Sequence, residues 1–367
     1  MSNGSIIFFG YFAYGIFNPA SQIVFGGAEV QIYQLATQLA KTGKSVALIT
    51  AGTKPYSQSV IDGVQVYKVL PLNRQNSIWT KSMAIGRMFY YLAKLPGRTV
   101  VQRALGPETG MLTFFCKLLG KRFVYMVAHD WDVNGSYKQK YGWLGKLAIW
   151  GLRHASVVLT QNHEQQAMLH QTYGKASTVF PTVYPIPATV LPRSLRKGIL
   201  WVGRAEQWKQ PELFINLAEQ LPQQSFTMIM PAGNDVAFYQ TVLTRARTFS
   251  NLTVLEQVPF TQIDDYFSRT LLLVNTSTME GFPNTFIQAT KNGTPIVSWR
   301  VNPDGIITTH NLGAVASDSS EQLVEQVQQL VTDTALWQQC SDHCHTYAQA
   351  QHDIKRWLPE FERLVQA

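Results

Sequence analysis

Residues 279–289 combine a carboxylate, a glycine loop and a helix start in one short segment, Met-Glu-Gly-Phe-Pro-Asn-Thr-Phe-Ile-Gln-Ala. An apolar run at residues 271–274 precedes the segment, and a second short apolar run follows it, which predicts strand, loop, helix and strand. Pro283 falls at the predicted helix start, where its missing N–H group costs no hydrogen bond. The loop therefore directs Glu280 and the free N–H groups of the first helical turn toward one point. Such a point can bind a hydroxylated ligand that carries phosphate.

A second loop carries two cations. It follows the apolar run at residues 199–202, begins with Gly203-Arg204, and reaches Lys209 five residues after the arginine. Together they can clamp a diphosphate, the arginine through a forked contact and the lysine as a point charge. In isolation, the same pair also fits an ordinary surface salt-bridge arrangement.

A third loop offers a histidine and acids. His129 and Asp130 follow the apolar run at residues 123–127, and Asp132 comes two residues later. At the carboxyl end of a strand these groups can contact a substrate hydroxyl or exchange a proton. They also fit a hydrogen-bonded histidine beside an aspartate that caps a helix.

The fourth loop is long and ends in two glycines. It leads from the apolar run at residues 6–9 to Gly26-Gly27, where a helical pattern begins. About sixteen residues is longer than most strand-to-helix connections, and such length is typical of functional loops. Paired glycines at a helix start allow an anion or a sugar to approach the backbone closely. The spacing is not G-x-G-x-x-G, so a nicotinamide cofactor is not indicated.

The elements that must position these loops alternate along the chain. Strands are predicted at residues 6–9, 45–50, 64–69, 99–102, 123–127, 156–160, 199–202, 227–230, 253–255, 271–274 and 295–298. Helices are predicted near residues 28–42, 78–95, 108–119, 136–153, 162–172, 210–221, 234–247, 262–268, 284–292 and 335–351. This alternation predicts an α/β fold with parallel sheets covered on both faces.

The length of 367 residues predicts two domains. A proline-rich stretch at residues 181–192 reads as the connection between them. We expect an N-terminal domain at residues 1–183 and a C-terminal domain at residues 184–349. Both should be doubly wound and face a central cleft, with ligands beyond the carboxyl ends of the strands.

The order of these four loops resembles glycosyltransferase family 4, which consists of retaining, nucleotide-sugar-dependent enzymes. Glu280 and Gln288 match the family's E-x7-E signature except that the second glutamate is glutamine here, and Arg204 and Lys209 match its G-R-x-x-x-x-K pattern. The resemblance implies a GT-B architecture, with a terminal helix at residues 350–367 that packs back onto the first domain. It implies transfer of a sugar from a nucleotide-diphosphate sugar, such as a UDP- or GDP-sugar, with retention and without a metal ion.

The resemblance also implies roles for individual residues. His129 lies against the donor sugar, Glu280 contacts the sugar hydroxyls, and Arg204 and Lys209 neutralise the leaving diphosphate. The backbone N–H groups of residues 281–284 hold the sugar and phosphate. Asp130 and Asp132 are expected on the acceptor side. Gln288 takes the place of the acid that holds the ribose hydroxyls, which weakens or alters nucleotide recognition. The remaining donor-binding positions are Gly26, Gly27, Gly203, Gly281, Phe282, Pro283, Asn284 and Thr285.

Charge is distributed unevenly between the two halves. Residues 1–180 carry 18 Lys+Arg against 6 Asp+Glu, whereas the remainder carries 13 against 17. Basic aromatic stretches at residues 79–94 and 136–154 are typical of helices that lie on anionic lipid, or of core helices with a basic edge. We expect an anionic membrane surface as a partner. Nucleic acid is not expected, because no recognition motif accompanies the charge.

Apolar content of 46% and charged content of 15% indicate a folded protein. No apolar run reaches the length of a membrane span, and no signal peptide is evident at the N-terminus. Three cysteines give no disulfide framework. We therefore expect a cytoplasmic protein, peripheral at the inner face of the cell membrane. A cluster of Cys and His at residues 340–345 has residue types that suit zinc, but it lies in one predicted helix without a second ligand pair, so no metal is expected.

Three functions stay open at this point. The first is a glycosyltransferase that modifies a lipid-linked or polysaccharide acceptor, as in cell-surface polysaccharide biosynthesis. The second is a nucleotide-sugar 2-epimerase on the same fold. The third is a non-catalytic protein that binds sugar nucleotides. The sequence names neither the base, the sugar, the acceptor nor the oligomeric state.

Overall fold

A computed structural model describes residues 5–21, 23–52, 57–72 and 78–366. The chain divides into two compact units. Unit 1 comprises residues 1–184 together with residues 354–367, and unit 2 comprises residues 185–353. The boundaries expected from the sequence, after residues 183 and 349, lie one and four residues before these.

Unit 1 is built on an eight-stranded sheet. Its strands are β1 (Ile6–Phe9), β2 (Val46–Gly52), β3 (Ser57–Ile61), β4 (Val64–Pro71), β5 (Thr99–Arg103), β6 (Arg122–Met126), β7 (Val157–Thr160) and β8 (Thr178–Val179). Their spatial order is β3-β4-β2-β1-β5-β6-β7-β8, and every pair is parallel except β3 with β4. The strands near the middle are buried along their whole length, which requires cover on both faces.

The helices of unit 1 are α1 (Tyr14–Phe17), α2 (Gly27–Lys41), α3 (Ile78–Lys94), α4 (Pro107–Leu118), α5 (Ser136–His154), α6 (His163–Tyr173) and the terminal α14 (Ile354–Gln366). The predicted terminal helix thus belongs to the first unit. Phe361 of α14 stacks against Phe8 of β1, with ring centroids 6.2 Å apart. Glu362 pairs with Lys44 at 3.0 Å.

Unit 2 has a six-stranded, fully parallel sheet. Its strands are β9 (Ile199–Val202), β10 (Phe226–Ile229), β11 (Leu252–Leu255), β12 (Leu272–Asn275), β13 (Ile296–Ser298) and β14 (Gly313–Val315), in the order β11-β10-β9-β12-β13-β14. Its helices are α7 (Pro211–Gln220), α8 (Val236–Ala246), α9 (Ile263–Arg269), α10 (Asn284–Lys291), α11 (Ile306–Thr309), α12 (Ser320–Thr332) and α13 (Thr334–His352). Two apolar clusters cover the two faces of this sheet. The prediction of an α/β fold with two parallel, doubly wound sheets is confirmed.

The sequence analysis did not predict helices α11 and α12, although α12 buries Leu323, Val327 and Leu330 at helical spacing. It also missed three short strands of the described residues. β3 alternates between partly buried and exposed residues, β8 has two residues and β14 three, so none presents an apolar run. The fourth predicted loop also contains the one-turn helix α1 and a 3₁₀ turn at Pro19–Ser21. The helix predicted at residues 136–153 is interrupted at Gly142, whose φ of 54° and ψ of −125° are not helical.

Candidate active site

Strand order fixes where each sheet can bind a ligand. In unit 2 the chain runs outward from β9 in one direction and from β12 in the other, so these neighbouring parallel strands flank the switch point. In unit 1 the corresponding neighbours are β1 and β5. In open α/β sheets, ligands bind beyond the carboxyl ends of the two strands at such a point. The loops that follow these four strands are therefore the first places to search for a site.

The loops after β9 and β12 are joined by hydrogen bonds. Thr278 N donates to Trp208 O at 2.9 Å, and Thr276 Oγ1 donates to Lys209 O at 2.6 Å. Thr276 Oγ1 also accepts from Trp201 Nε1 at 2.9 Å. Thr276 is fully buried, so its hydroxyl fixes the path of the Lys209 backbone beside the Glu280 loop.

Lys209 and Glu280 form an ion pair across the switch point. Lys209 Nζ contacts Glu280 Oε1, which also accepts from Ser277 Oγ at 2.8 Å. The side chains are only 17% and 10% exposed, so water screens the pair weakly. The ammonium also lies 4.4 Å from the centroid of the Trp208 ring. The sequence analysis did not predict this ion pair or the hydrogen bond from Ser277 to Glu280. The sequence signal for Ser277 is a hydroxyl three residues before the glutamate.

Arg204 behaves differently from Lys209. Its side chain is exposed, and it forms no hydrogen bond or ion pair with any residue that the structure describes. The two predicted cations are therefore not a preformed clamp, because one is already paired and the other extends into solvent. Gly203 makes room for the lysine: a Cβ added there would lie 3.0 Å from the Trp201 ring and 3.4 Å from Lys209 Cδ.

The segment from Gly281 to Thr285 leads into helix α10. Pro283 is the N-cap residue rather than the first helical residue, and its carbonyl accepts from Phe286 N at 3.0 Å. Pro283 has no N–H group, so it cannot donate to a ligand as the prediction for residues 281–284 required. Asn284, in contrast, has a shielded side-chain oxygen without a hydrogen-bond partner among the described residues.

Gln288 lies in the second turn of α10, eight residues after Glu280, and is 7% exposed. Its backbone carbonyl accepts from Asn292 Nδ2 at 2.8 Å. Its side-chain amide forms no hydrogen bond with any other described residue. The amide is therefore available to a ligand, with one acceptor oxygen and one N–H₂ donor.

In unit 1, His129 stands at the start of a 3₁₀ turn, Asp130–Asp132, beyond the carboxyl end of β6. His129 Nδ1 accepts from Trp131 N at 3.4 Å, and the two rings lie 4.3 Å apart between centroids. The residue as a whole is partly exposed, but its ring Nε2 is shielded from solvent. Because Nδ1 accepts here, the ring N–H in the neutral form is on Nε2.

Asp132 is used within this loop. It is 4% exposed, and Oδ2 accepts from Tyr125 Oη at 2.8 Å, Ala128 N at 2.9 Å and His129 N at 3.2 Å. Burial raises the pKa of this carboxyl despite these three donors and the nearby His129. The contacts of Asp132 thus hold the backbone that carries His129. Asp130 lies further out and accepts from Gln165 Nε2 at 3.0 Å.

Gly26 and Gly27 begin helix α2, as the sequence predicted for this helix start. Gly26 N donates to Glu29 Oε2 at 2.8 Å, so a carboxylate of the same chain already occupies one of the amides expected to meet a sugar or an anion. A ligand that uses this amide must displace Glu29. The acid stands three residues after Gly26, which is the spacing of a capping interaction and its sequence signal.

Within the described ranges, no group of three or more His, Cys, Asp or Glu side chains is arranged to hold a metal ion. The cluster at residues 340–345 lies in α13. Cys340 and Cys344 are buried there, and Cys344 Sγ donates to Leu312 O at 3.4 Å. These two cysteines therefore pack into unit 2.

Residues 196–333, which lie within unit 2, match the family described as glycosyl transferases group 1. The matched segment contains Lys209, Glu280 and Gln288. No curated protein matches the chain in sequence.

Several solved structures share the fold along nearly the whole chain. Sucrose-phosphate synthase from Thermosynechococcus elongatus aligns with a TM-score of 0.77 at 16% identity, over 99% of this chain and 98% of that one. Anabaena HepE, solved in complex with UDP and glucose, aligns with a TM-score of 0.76 at 13% identity, over 99% of both chains. WaaG, a glycosyltransferase involved in lipopolysaccharide biosynthesis, aligns with a TM-score of 0.70 at 16% identity, over 99% of this chain and 100% of that one. At these identities the alignments show the GT-B fold, and together with the family match they support a glycosyltransferase.

Proposed function

We propose that the protein transfers a sugar from a nucleotide-diphosphate sugar to a lipid-linked or polysaccharide acceptor, with retention of configuration and without a metal ion. The observation that carries this proposal is the Lys209–Glu280 pair at the switch point of unit 2. It brings a cation and a carboxylate together at the start of helix α10, where a phosphate and a sugar hydroxyl can bind side by side.

In this proposal unit 2 holds the donor. Glu280 accepts hydrogen bonds from sugar hydroxyls, while Lys209 and the exposed Arg204 bind the diphosphate. The N–H groups of Gly281, Phe282 and Asn284 add donors at the helix start. Gln288 binds the ribose diol through its uncommitted amide, which replaces a charge-assisted contact with a neutral one.

The chemistry that fits these groups is a displacement on one face of the sugar. The bond from the anomeric carbon to the diphosphate oxygen breaks, a bond to the acceptor oxygen forms, and the departing phosphate takes the acceptor's proton. Catalysis then consists of positioning and of charge stabilisation, to which Lys209 and Arg204 contribute. His129 is the residue of unit 1 that we place against the donor sugar, on a loop that Asp132 holds and from which Asp130 projects.

Unit 1 also carries the proposed membrane surface. Of the fourteen large apolar side chains that are exposed among the described residues, nine lie on α3, α4 and α5. The most exposed of these nine are Trp79, at 80%, and Trp143, at 71%. α4 packs against both neighbouring helices, so the three form one surface. We call it the aromatic surface.

Cations lie among these aromatic side chains. Lys94 Nζ is 5.5 Å from the ring centroid of Tyr90, and Lys117 Nζ is 5.5 Å from that of Trp150. Basic groups interleaved with exposed Trp and Tyr suit the interface of an anionic bilayer. No described helix is both long and apolar enough to span a membrane. We therefore propose peripheral binding at the inner, cytoplasmic face of the cell membrane.

The transfer reaction is tested by the release of nucleotide diphosphate from a panel of UDP- and GDP-sugars offered with lipid-linked and polysaccharide acceptors. Glu280→Ala should abolish release. Glu219→Ala, at an exposed surface pair of the same unit, is the matched control and should leave it unchanged. Conversion of the donor without acceptor would identify an epimerase instead. Donor binding without turnover, with turnover gained by Gln288→Glu, would identify a binding protein.

Membrane binding is tested by sedimentation with anionic vesicles at low and high salt. We expect salt-sensitive binding by the wild type, because exposed charges are screened by salt. The Trp79→Ala/Trp143→Ala double variant should bind more weakly. Val236→Ala, at an exposed apolar residue of unit 2, is the control. Failure of the wild type to bind at low salt would remove the membrane proposal and leave the transferase proposal standing.

A further inference from the structure

Arg103 is the last residue of β5 and therefore lies at the switch point of unit 1, beside the carboxyl end of β1. It is 5% exposed. Burial lowers the pKa of its guanidinium to about 10, which leaves it charged at neutral pH. A buried charge is costly unless it has a partner, so the contacts of this side chain require an explanation.

Among the described residues, partners are present for one nitrogen of the guanidinium. Nη2 donates to Gln161 Oε1 at 2.7 Å and to Thr182 Oγ1 at 2.9 Å. Nε and Nη1 are shielded and have no hydrogen-bond partner among the described residues. Three N–H groups of one buried cation are therefore unpaired.

The nearest carboxylates do not neutralise it. Asp132 and Glu29 attract Arg103 electrostatically, but no ion pair joins either of them to the guanidinium within the described ranges. Asp132 Oδ2 accepts from three donors, and Glu29 Oε2 accepts from Gly26 N. Both acids are thus committed to other donors.

Arg196 in unit 2 shows what a purely structural buried arginine looks like in this chain. It is 3% exposed, and all three of its nitrogens donate: Nε to Leu191 O at 2.9 Å, Nη1 to Thr294 Oγ1 at 2.7 Å, and Nη2 to Asn292 O at 2.6 Å. With a further contact from Nη1 to Thr270 O at 3.5 Å, Arg196 links the chain at residues 191, 270 and 292–294 and leaves no nitrogen unpaired. Arg103 is buried to the same degree but lacks such partners.

A second buried donor without a described partner is linked to the same chain segment as Arg103. Gln31 of α2 is fully buried, and its Oε1 accepts from Val183 N at 2.8 Å, next to the Thr182 that binds Arg103. Gln31 Nε2 has no partner among the described residues. One chain segment, residues 182–183, therefore connects two buried side chains that both present unpaired N–H groups.

We propose that Arg103 and Gln31 form an oxyanion-binding subsite, filled by a phosphate or carboxylate group of the acceptor. The identity of the bound molecule as the acceptor rests on the proposed function, whereas the anion site itself does not. Cation and amide donors without acceptors match an oxyanion, which accepts only. Ala104 and His129, which follow β5 and β6 at the same edge, are partly exposed, so the edge opens to solvent one residue beyond Arg103.

The test is a titration of the full chain, labelled at the arginine side chains, with sodium phosphate and separately with sodium acetate. The Arg103 Nε–H resonance, assigned by its loss in Arg103→Lys and Arg103→Met, is followed by NMR. We expect a saturable downfield shift with one of the two ions, which identifies the group. Arg196 Nε–H should not move. Gln31→Leu should weaken the binding of that ion several-fold.

An Arg103 resonance that neither ion moves would overturn the proposal. So would equal shifts at Arg103 and Arg196, which indicate a salt effect. The titration requires neither donor nor turnover, so its failure is distinct from failure of the transferase assay. Where the transferase assay succeeds, Arg103→Lys should raise KM for an anionic acceptor by about tenfold or more and leave the donor KM unchanged.

Discussion

Removal of the Lys209 ammonium tests the ion pair at the switch point of unit 2. Lys209→Met keeps most of the side-chain stem and leaves Glu280 with Ser277 Oγ as its remaining side-chain donor. Breaking a fully buried pair costs about 3–5 kcal/mol, whereas exposed pairs contribute about 1 kcal/mol or less. With exposed fractions of 17% and 10%, this pair falls between the two. We expect the free energy of unfolding to fall by about 2 kcal/mol, and Tm by roughly 4–8 °C.

The same change should weaken donor binding if Lys209 binds the diphosphate. Loss of one charge-assisted contact corresponds to roughly tenfold or more in Kd. Urea unfolding of the free protein measures the change in the free energy of unfolding. Calorimetric titration with the nucleotide sugar that binds the wild type measures the change in donor Kd.

Lys291→Met is the matched control in the same unit. Lys291 Nζ pairs with Asp264 at 2.6 Å, and the lysine is 6% exposed while the aspartate is 50% exposed. The lysine lies at the far end of α10, so its loss should lower stability and leave donor affinity unchanged. Equal losses of donor affinity in both variants would refute the assigned role of Lys209. An unchanged stability of Lys209→Met would refute the ion pair itself.

Three further changes have defined outcomes. Gln288→Glu should strengthen donor binding about fivefold, since a carboxylate near the ribose adds roughly 1 kcal/mol, and titration calorimetry measures this. Asp132→Asn should alter the pH dependence of stability. Its folded-state pKa is raised above 3.8, so between these two pKa values the folded state keeps a proton that the unfolded state has lost. The contribution of Asp132 to the free energy of unfolding therefore falls as the pH rises from 3.8 through the folded pKa. Urea unfolding across that window should show the fall in the wild type and not in the variant. Gly151→Ala would place a Cβ 2.5 Å from Thr109 O where α4 and α5 cross, and should lower the free energy of unfolding by about 2 kcal/mol in the same assay.

Most of the fold was predictable because its strands are buried on both faces. Such strands read as short apolar runs, and those at residues 6–9 and 199–202 were predicted with the bounds that the structure has. The missed β3 lies at the sheet edge, where alternating polar residues weaken the signal. The interruption at Gly142 was missed because the flanking residues keep a helical pattern, and only the backbone shows the break.

The site was predictable loop by loop, but its pairings were not. Lys209 and Glu280 are 71 residues apart, and they meet only because β9 and β12 are neighbours in the sheet. The sequence shows which residues follow a strand, not which strands lie side by side. Arg103 was missed for a related reason: a cation that ends an apolar strand looks like an ordinary boundary until its burial and missing partners are known.

The chain enters unit 2 after Tyr184 and leaves it before Ile354, and these two residues are joined by a hydrogen bond from Ile354 N to Tyr184 O at 3.0 Å. During translation the ribosome must therefore make all of residues 185–353 before α14 exists. At about 5–20 residues per second, those 169 residues take roughly 8–34 s. Throughout that interval Phe8 and Phe180 lack Phe361, the ring that packs against both of them. The apolar surface of nascent unit 1 around Phe8 and Phe180 is therefore uncovered during translation, until the thirteen-residue helix α14 is made and packs onto it.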